Sequence, residues 1–185
     1  MIGLALLVSA AAASQVIKSD CSMGECWWFR KEARQPMLRN RDGELVRYAV
    51  LEGRSRHPDD RYPKTYSSPL HVRFRPKTYY AFCSRMRPSV AFKAELGRDR
   101  GKWLAHLLNL HDLFGYNGSS AVIYFAACHG VDLNRQSLGI VMKRFRYDEP
   151  TPSAQIELRT PVDLADSSFV ARALRRSGQD VGSRH

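Results

Sequence analysis

Two cysteines, Cys83 and Cys128, bracket the stretch from Phe82 to Gly130, which holds most of the residues able to form a core. Inside it lie an apolar run (Val90, Ala91, Phe92), an amphipathic segment (Lys102 to Phe114) and an apolar segment (Ala121 to Cys128). A bond between these cysteines brings their Cα atoms within about 7 Å. Whatever the fold, the element ending at Cys83 must then lie beside the element ending at Cys128.

Cys21 and Cys26 complete an even set. Four cysteines allow three pairings. The preferred pairing is Cys21–Cys26 and Cys83–Cys128. The first closes a tight loop through Ser22-Met23-Gly24-Glu25, with Gly24 for the turn. The second closes a long loop and contributes about 4 kcal/mol in the chain-entropy account. A zinc site needs paired ligands such as C-x₂-C or H-x₃-H. Cys21 and Cys26 make one near-pair without a second, so no metal is expected.

Disulfides imply an oxidising compartment, and the N-terminus agrees. Ile2 to Ala13 is apolar or small, ends in Ala11-Ala12-Ala13 and gives way to polar Ser14 and Gln15. The run is too short to span a bilayer, which takes about 20 residues, and fits a signal peptide over 1–13. No Lys or Arg precedes it. The expected mature chain has no transmembrane segment and is periplasmic or secreted.

The 185 residues fit one domain, and 44% apolar with 25% charged residues is ordinary for a packed globular chain. The formal charge of +11 favours polyanionic partners. For an exported protein the expected partner is an anionic envelope surface: lipid, lipopolysaccharide or cell-wall polymer. Export argues against nucleic acid.

Trp27-Trp28-Phe29 is read as core beside a disulfide, with a stacking platform for a sugar ring as the sharper alternative. Arg39 to Gly43 carries a hairpin turn signal ending in Asp-Gly. Leu45 to Leu51 reads as a strand, and Gly53 to Pro69 as a loop. Leu70 to Arg75 alternates with period two, giving a strand with Leu70, Val72 and Phe74 inward and His71, Arg73 and Arg75 outward. Thr78 to Cys83 and Pro88 to Ala94 are further strands.

Lys102 to Phe114 is expected to be an amphipathic helix, with Trp103, Leu104, Leu107, Leu108 and His111 on the apolar face, His106 on the polar one and Gly115 as its stop. Val122 to Phe125 has strand propensity. The flanking Ser119-Ser120 cap, the alanines and Gly130 favour a short buried helix over 121–129. Leu138, Val141, Met142 and Phe145 fall at helical spacing. Gln155 to Leu158 is an edge strand. Thr160-Pro161 opens a helix to Arg176, and 177–185 is a loose tail. The fold class is α+β: a single disulfide-stapled domain over 14–176, with N-terminal antiparallel strands packed against a C-terminal set of helices.

No catalytic motif, phosphate loop or dinucleotide fingerprint occurs, and no cofactor is implied. Cys128-His129 invites a thiol-nucleophile reading, but a base must neighbour the thiol in space rather than in sequence. His129 is expected to cap a helix end as a cation, and His111 to be a core histidine. Candidate anion-binding residues are Arg73, Arg75, Lys77, Arg85 and Arg87, with Tyr79 and Tyr80 interleaved for stacking. The expected function is non-catalytic binding or a structural role in the cell envelope. The alternative is an envelope hydrolase or transpeptidase using Cys128 and a histidine.

Overall fold

The structure is a computed structural model that describes residues 16–67, 72–113, 116–133 and 136–182. The proposed signal peptide, Leu70, His71, Phe114 and Gly115 lie outside the described residues. Seven antiparallel strands form one sheet in chain order. They are β1 (Val16–Ser22), β2 (Glu25–Asn40), β3 (Gly43–Arg56), β4 (Arg75–Cys83), β5 (Ser89–Lys93), β6 (Trp103–Leu107) and β7 (Ala154–Leu158). The helices are α1 (Tyr116–His129), α2 (Leu138–Phe145) and α3 (Ser167–Gly182), with a short 3₁₀ helix at Pro161–Ala165.

Tight turns set the register at the start of the sheet. Met23 and Gly24 both have positive φ, 53° and 75°, as a two-residue hairpin requires. The Cys21–Cys26 bond closes that hairpin. At the next turn Asn40 Oδ1 accepts the backbone N–H groups of Asp42 and Gly43 at 2.9 and 3.0 Å. Residues 31–40 of β2 run past the end of β1 as an exposed edge. Lys31, Arg34, Arg39 and Pro36 guard it against strand addition, as charge and proline do on natural edges.

The alternation of side chains sorts the core into two clusters, one per face. Val46, Tyr48, Val50, Ala81 and Val90 pack with α1, Val141 and Tyr147. Their chain neighbours Leu45, Phe82 and Ala91 pack with Ala105, Leu107, Ile156, Leu158, Leu164, Phe169 and Val170. Thus α1 covers one face, and the 3₁₀ helix with α3 covers the other. The N-terminal strands and C-terminal helices fall as expected. Two strands also lie in the C-terminal half, so the helices divide between both faces instead of stacking on one.

The principal correction is β6. Trp103 to Leu107 was expected to be helical and is a strand between β5 and β7. Helices cover both of its faces, so four of its five residues are buried and the alternation vanishes from the sequence. Apolar spacing then imitates a helix. Residues 72–74 are not a strand either; β4 begins at Arg75.

Residues 121–129 do form a helix, and every residue from Ala121 to Ala127 is buried. A helix apolar on all sides belongs in the interior. Asn117, in its first turn, is buried and donates from Nδ2 to Ser153 Oγ at 2.6 Å. Residues 138–145 are helical, with Ser137 as N-cap. The helix expected from Thr160 is interrupted: Asp166 Oδ1 accepts the N–H groups of Ser168 and Phe169, restarting the chain as α3, which continues to Gly182.

Cys83 ends β4 and Cys128 lies in the last turn of α1, with Cα atoms 5.4 Å apart. The disulfide clamps the helix to the sheet. Both residues are half-buried rather than fully enclosed.

Candidate functional site

Helix α1 covers only part of its face of the sheet, and beyond its N-terminus that face changes character. Register defines the row that α1 covers only in part. Trp27 faces Arg54, Phe29 faces Glu52, Glu52 faces Arg75, Val50 faces Lys77, Tyr79 faces Phe92, and Val90 faces His106. Under the helix the row is Val46, Tyr48, Val50, Ala81 and Val90. Past it, the same strands present Trp27, Arg54, Glu52, Lys77, Tyr79, Phe92 and His106.

Two adjoining spaces result. The outer one is a groove of about 830 Å³ lined by Arg54, Arg56, Arg73, Arg75 and Lys77, with Glu52 and Glu95 as its carboxylates. Gly53 makes the groove possible. A Cβ there would fall inside Val72 Cγ1 and 3.0 Å from Arg73 O, so only glycine lets the 72–73 segment cross this close to β3 and hold Arg73 at the rim. Arg54 and Arg56 share Glu25 at 3.5 and 3.9 Å, and Lys77 Nζ pairs with Glu95 at 2.5 Å. Among the described residues Arg73 and Arg75 have no ion-pair partner and are exposed.

The inner space is a pocket of about 310 Å³ between this floor and the first turns of α1. Glu52, Arg54, Lys77 and Glu95 line both spaces, so the groove and the pocket share a wall. Trp27 and Phe92 are its aromatic walls, and Ser119, Ser120 and Ile123 come from the helix. Tyr79 Oη donates to Glu52 Oε2. Burial first, and the Glu52 charge second, push the Tyr79 hydroxyl well above its ordinary value, so it stays a donor.

His106 lies deepest. Its Nε2–H donates to Gln155 Oε1 at 3.1 Å, which leaves Nδ1 to accept the Ser120 hydroxyl at 2.6 Å. Burial lowers its pKa from 6.5 to about 4, against the opposing pull of Gln155. The imidazole is therefore neutral near pH 7 and too weakly basic to activate Ser120 strongly.

The five sequence candidates divide. Arg73, Arg75 and Lys77 meet in the groove. Arg85 and Arg87 lie beyond the other end of β4: Arg85 borders the cleft beside the clamp disulfide, and Arg87 lies half-buried 5.0 Å from the Phe82 ring centre. Tyr79 and Tyr80 point to opposite faces, Tyr79 into the pocket and Tyr80 against Trp103 at 5.4 Å, so they form no joint stack. Of the aromatic triplet, Trp28 and Phe29 are fully buried and Trp27 alone reaches the pocket. Arg54, Arg56, Glu52 and the Ser120–His106 pair were not singled out from the sequence. The prolines of Gly53 to Pro69 read as a loop, but β3 extends to Arg56 and holds Arg54 and Arg56 on a strand; register and the docking of α1 join the others.

The remaining histidines also differ from expectation. His129 is no cationic cap. Burial, then the Arg144 and Arg34 charges, lower its pKa to about 4; it stacks 3.8 Å from Phe145 and bonds Tyr147 Oη through Nε2 at 2.8 Å. His111 is exposed and reaches Tyr147 O through Nε2 at 3.1 Å. Both Cys128 and Cys83 spend their sulfurs in the disulfide, and among the described residues no cysteine is free and no side-chain cluster has the makings of a metal site.

No protein-family model, curated protein or solved structure matches the chain.

Proposed function

We propose that the protein is an exported, disulfide-stapled binding protein of the cell envelope that docks without catalysis on a polyanionic surface. The observation that carries this reading is the groove: five cationic side chains converge there against two carboxylates, and the two arginines at its rim lack ion-pair partners among the described residues. Such a cluster raises the local potential and draws in polyanions. Two disulfides fit an oxidising compartment. Among the described residues no helix is long and apolar enough to cross a membrane. Periplasmic or secreted localisation rests on the apolar run at 2–13.

The rival reading, a hydrolase or transpeptidase using Cys128, requires a thiolate. The disulfide removes it, and His129 faces Phe145 and Tyr147 instead of a sulfur.

The test measures binding of the full, oxidised chain to phosphatidylglycerol vesicles, lipopolysaccharide and polyphosphate from low to high salt. At least one should bind, with affinity falling steeply as salt rises, since exposed charges are screened beyond about 8 Å at physiological ionic strength. The Arg73→Ser/Arg75→Ser variant should bind more weakly. Salt-insensitive binding, or none, refutes the reading.

A further inference from the structure

The pocket and the groove differ in charge although they share a wall. The groove carries Arg54, Arg56, Arg73, Arg75 and Lys77 against Glu52 and Glu95, a formal +3. The pocket carries Asp20, Glu52 and Glu95 against Arg54 and Lys77, a formal −1. A phosphate, sulfate or carboxylate group is thus favoured in the groove and disfavoured within the pocket.

What the pocket offers is a ring-sized space with aromatic walls and closely spaced acceptors and hydroxyls. Trp27 and Phe92 give apolar faces. Glu52 and Glu95 are acceptors; Ser119 can donate and accept, and Ser120, whose hydroxyl proton goes to His106, accepts. These groups arrive on different elements: Trp27 on β2, Glu52 on β3, Phe92 on β5 and the serines on α1. Pockets that select small ligands combine apolar walls with a few placed polar groups in this way. A pyranose matches both: its C–H faces are apolar, and its hydroxyls can donate to the carboxylates and to Ser120 Oγ while accepting from Ser119.

An acyl chain would strip water from the Asp20, Glu52 and Glu95 carboxylates and return no hydrogen bond to their remaining lone pairs, a cost that disfavours an apolar occupant. A phosphate-rich backbone would meet the carboxylates Asp20, Glu52 and Glu95. We infer that the ligand is an anionic glycan, whose uncharged sugar ring enters the pocket between Trp27, Phe92 and Glu52 while its charged substituents lie in the arginine groove. This deepens the polyanion reading and rests on it for the groove, though not for the pocket.

The test applies the full, oxidised chain to a panel of acidic and neutral glycans, with polyphosphate and phosphatidylglycerol vesicles as sugar-free polyanions. Glu52→Gln keeps an acceptor for Tyr79 and removes the charge; Trp27→Ala removes a wall. Circular dichroism and the melting temperature confirm that each variant folds, and Ser120→Ala serves if Trp27→Ala does not. Acidic glycans should bind more tightly than polyphosphate of equal charge. Glu52→Gln and the wall variant should each weaken glycan binding tenfold or more, while polyphosphate binding stays unchanged in the wall variant and stays unchanged or tightens in Glu52→Gln, which removes one negative charge from the groove. Arg73→Ser/Arg75→Ser should weaken both. If polyphosphate binds and no glycan binds better, or if the pocket variants leave glycan affinity intact, the glycan inference is overturned while the groove reading survives. If only neutral glycans bind, and without salt dependence, the groove reading fails and the combined ligand fails with it. Vesicle binding abolished by the pocket variants would assign the pocket to a lipid headgroup and overturn the inference.

Discussion

Ser120 on α1 donates its hydroxyl to Nδ1 of His106 on β6 across 2.6 Å, tying the helix that walls the pocket to the strand at its floor. The bond requires an unprotonated Nδ1, and burial keeps it so. The unfolded chain binds the imidazole proton near 6.5, the folded protein only near 4. Protonation between these values favours the unfolded state. The contribution of His106 is complete above about pH 6.5 and is lost as pH falls toward 4, on the order of 3 kcal/mol in all. His129 acts in the same direction but is more exposed. The melting temperature should decline through this window. An NMR titration in which the His106 ring protonates between pH 6 and 7 would remove the explanation.

The clamp disulfide should matter more than the hairpin disulfide. Cys83 and Cys128 are 45 residues apart, Cys21 and Cys26 only 5. Loop-closure entropy gives about 4 kcal/mol for the first and about 2 kcal/mol for the second. Cys83→Ser should therefore lower the unfolding free energy measured in urea more than Cys21→Ser, with a steeper slope because the denatured chain is less compact without the long loop. Equal losses would show that the long loop is already constrained in the denatured chain.

Gly53→Ala tests the link between fold and groove. The new methyl group would overlap Val72 Cγ1 and crowd Arg73 O at 3.0 Å. Overpacking of this kind costs about 1–3 kcal/mol. The strand cannot move without disturbing its pairing to β4, so residues 72–73 should lift away and carry Arg73 from the rim. Both thermal stability and polyanion affinity should fall; a variant with wild-type values in both would show that the crossing segment adapts without loss.

Arg73→Ser/Arg75→Ser should separate binding from folding. Both side chains are exposed and lack an ion-pair partner among the described residues, so their removal should change stability by less than about 0.5 kcal/mol. Polyanion affinity should drop several-fold, and the dependence on salt should become shallower. A large loss of melting temperature would identify them as structural residues.

Local chemistry in the sequence determined much of this protein. Leu45–Leu51 and Thr78–Cys83 lie within β3 and β4, and Pro88–Ala94 and Gln155–Leu158 contain or fall within β5 and β7. The alanines and Gly130 marked 121–129 as helical in spite of Val122 and Ile123, although the helix begins at Tyr116 and so holds Ser119 and Ser120 inside it rather than as caps, and helical spacing marked 138–145. The cysteine pairing followed from loop sizes. Only the tertiary structure decided that Trp103–Leu107 is a strand, because burial on both faces erases the alternation that identifies one. The site was illegible for a related reason. Of Trp27, Glu52, Lys77, Phe92, His106 and Ser120, far apart in the chain, only Lys77 was marked by its charge; the others resemble ordinary strand or helix residues. Antiparallel register brings the first five onto one face, and α1 begins where it leaves that face uncovered. Neither the register across five strands nor the point at which a helix docks is encoded by neighbours in sequence; both are set by which long-range packing buries the most apolar surface.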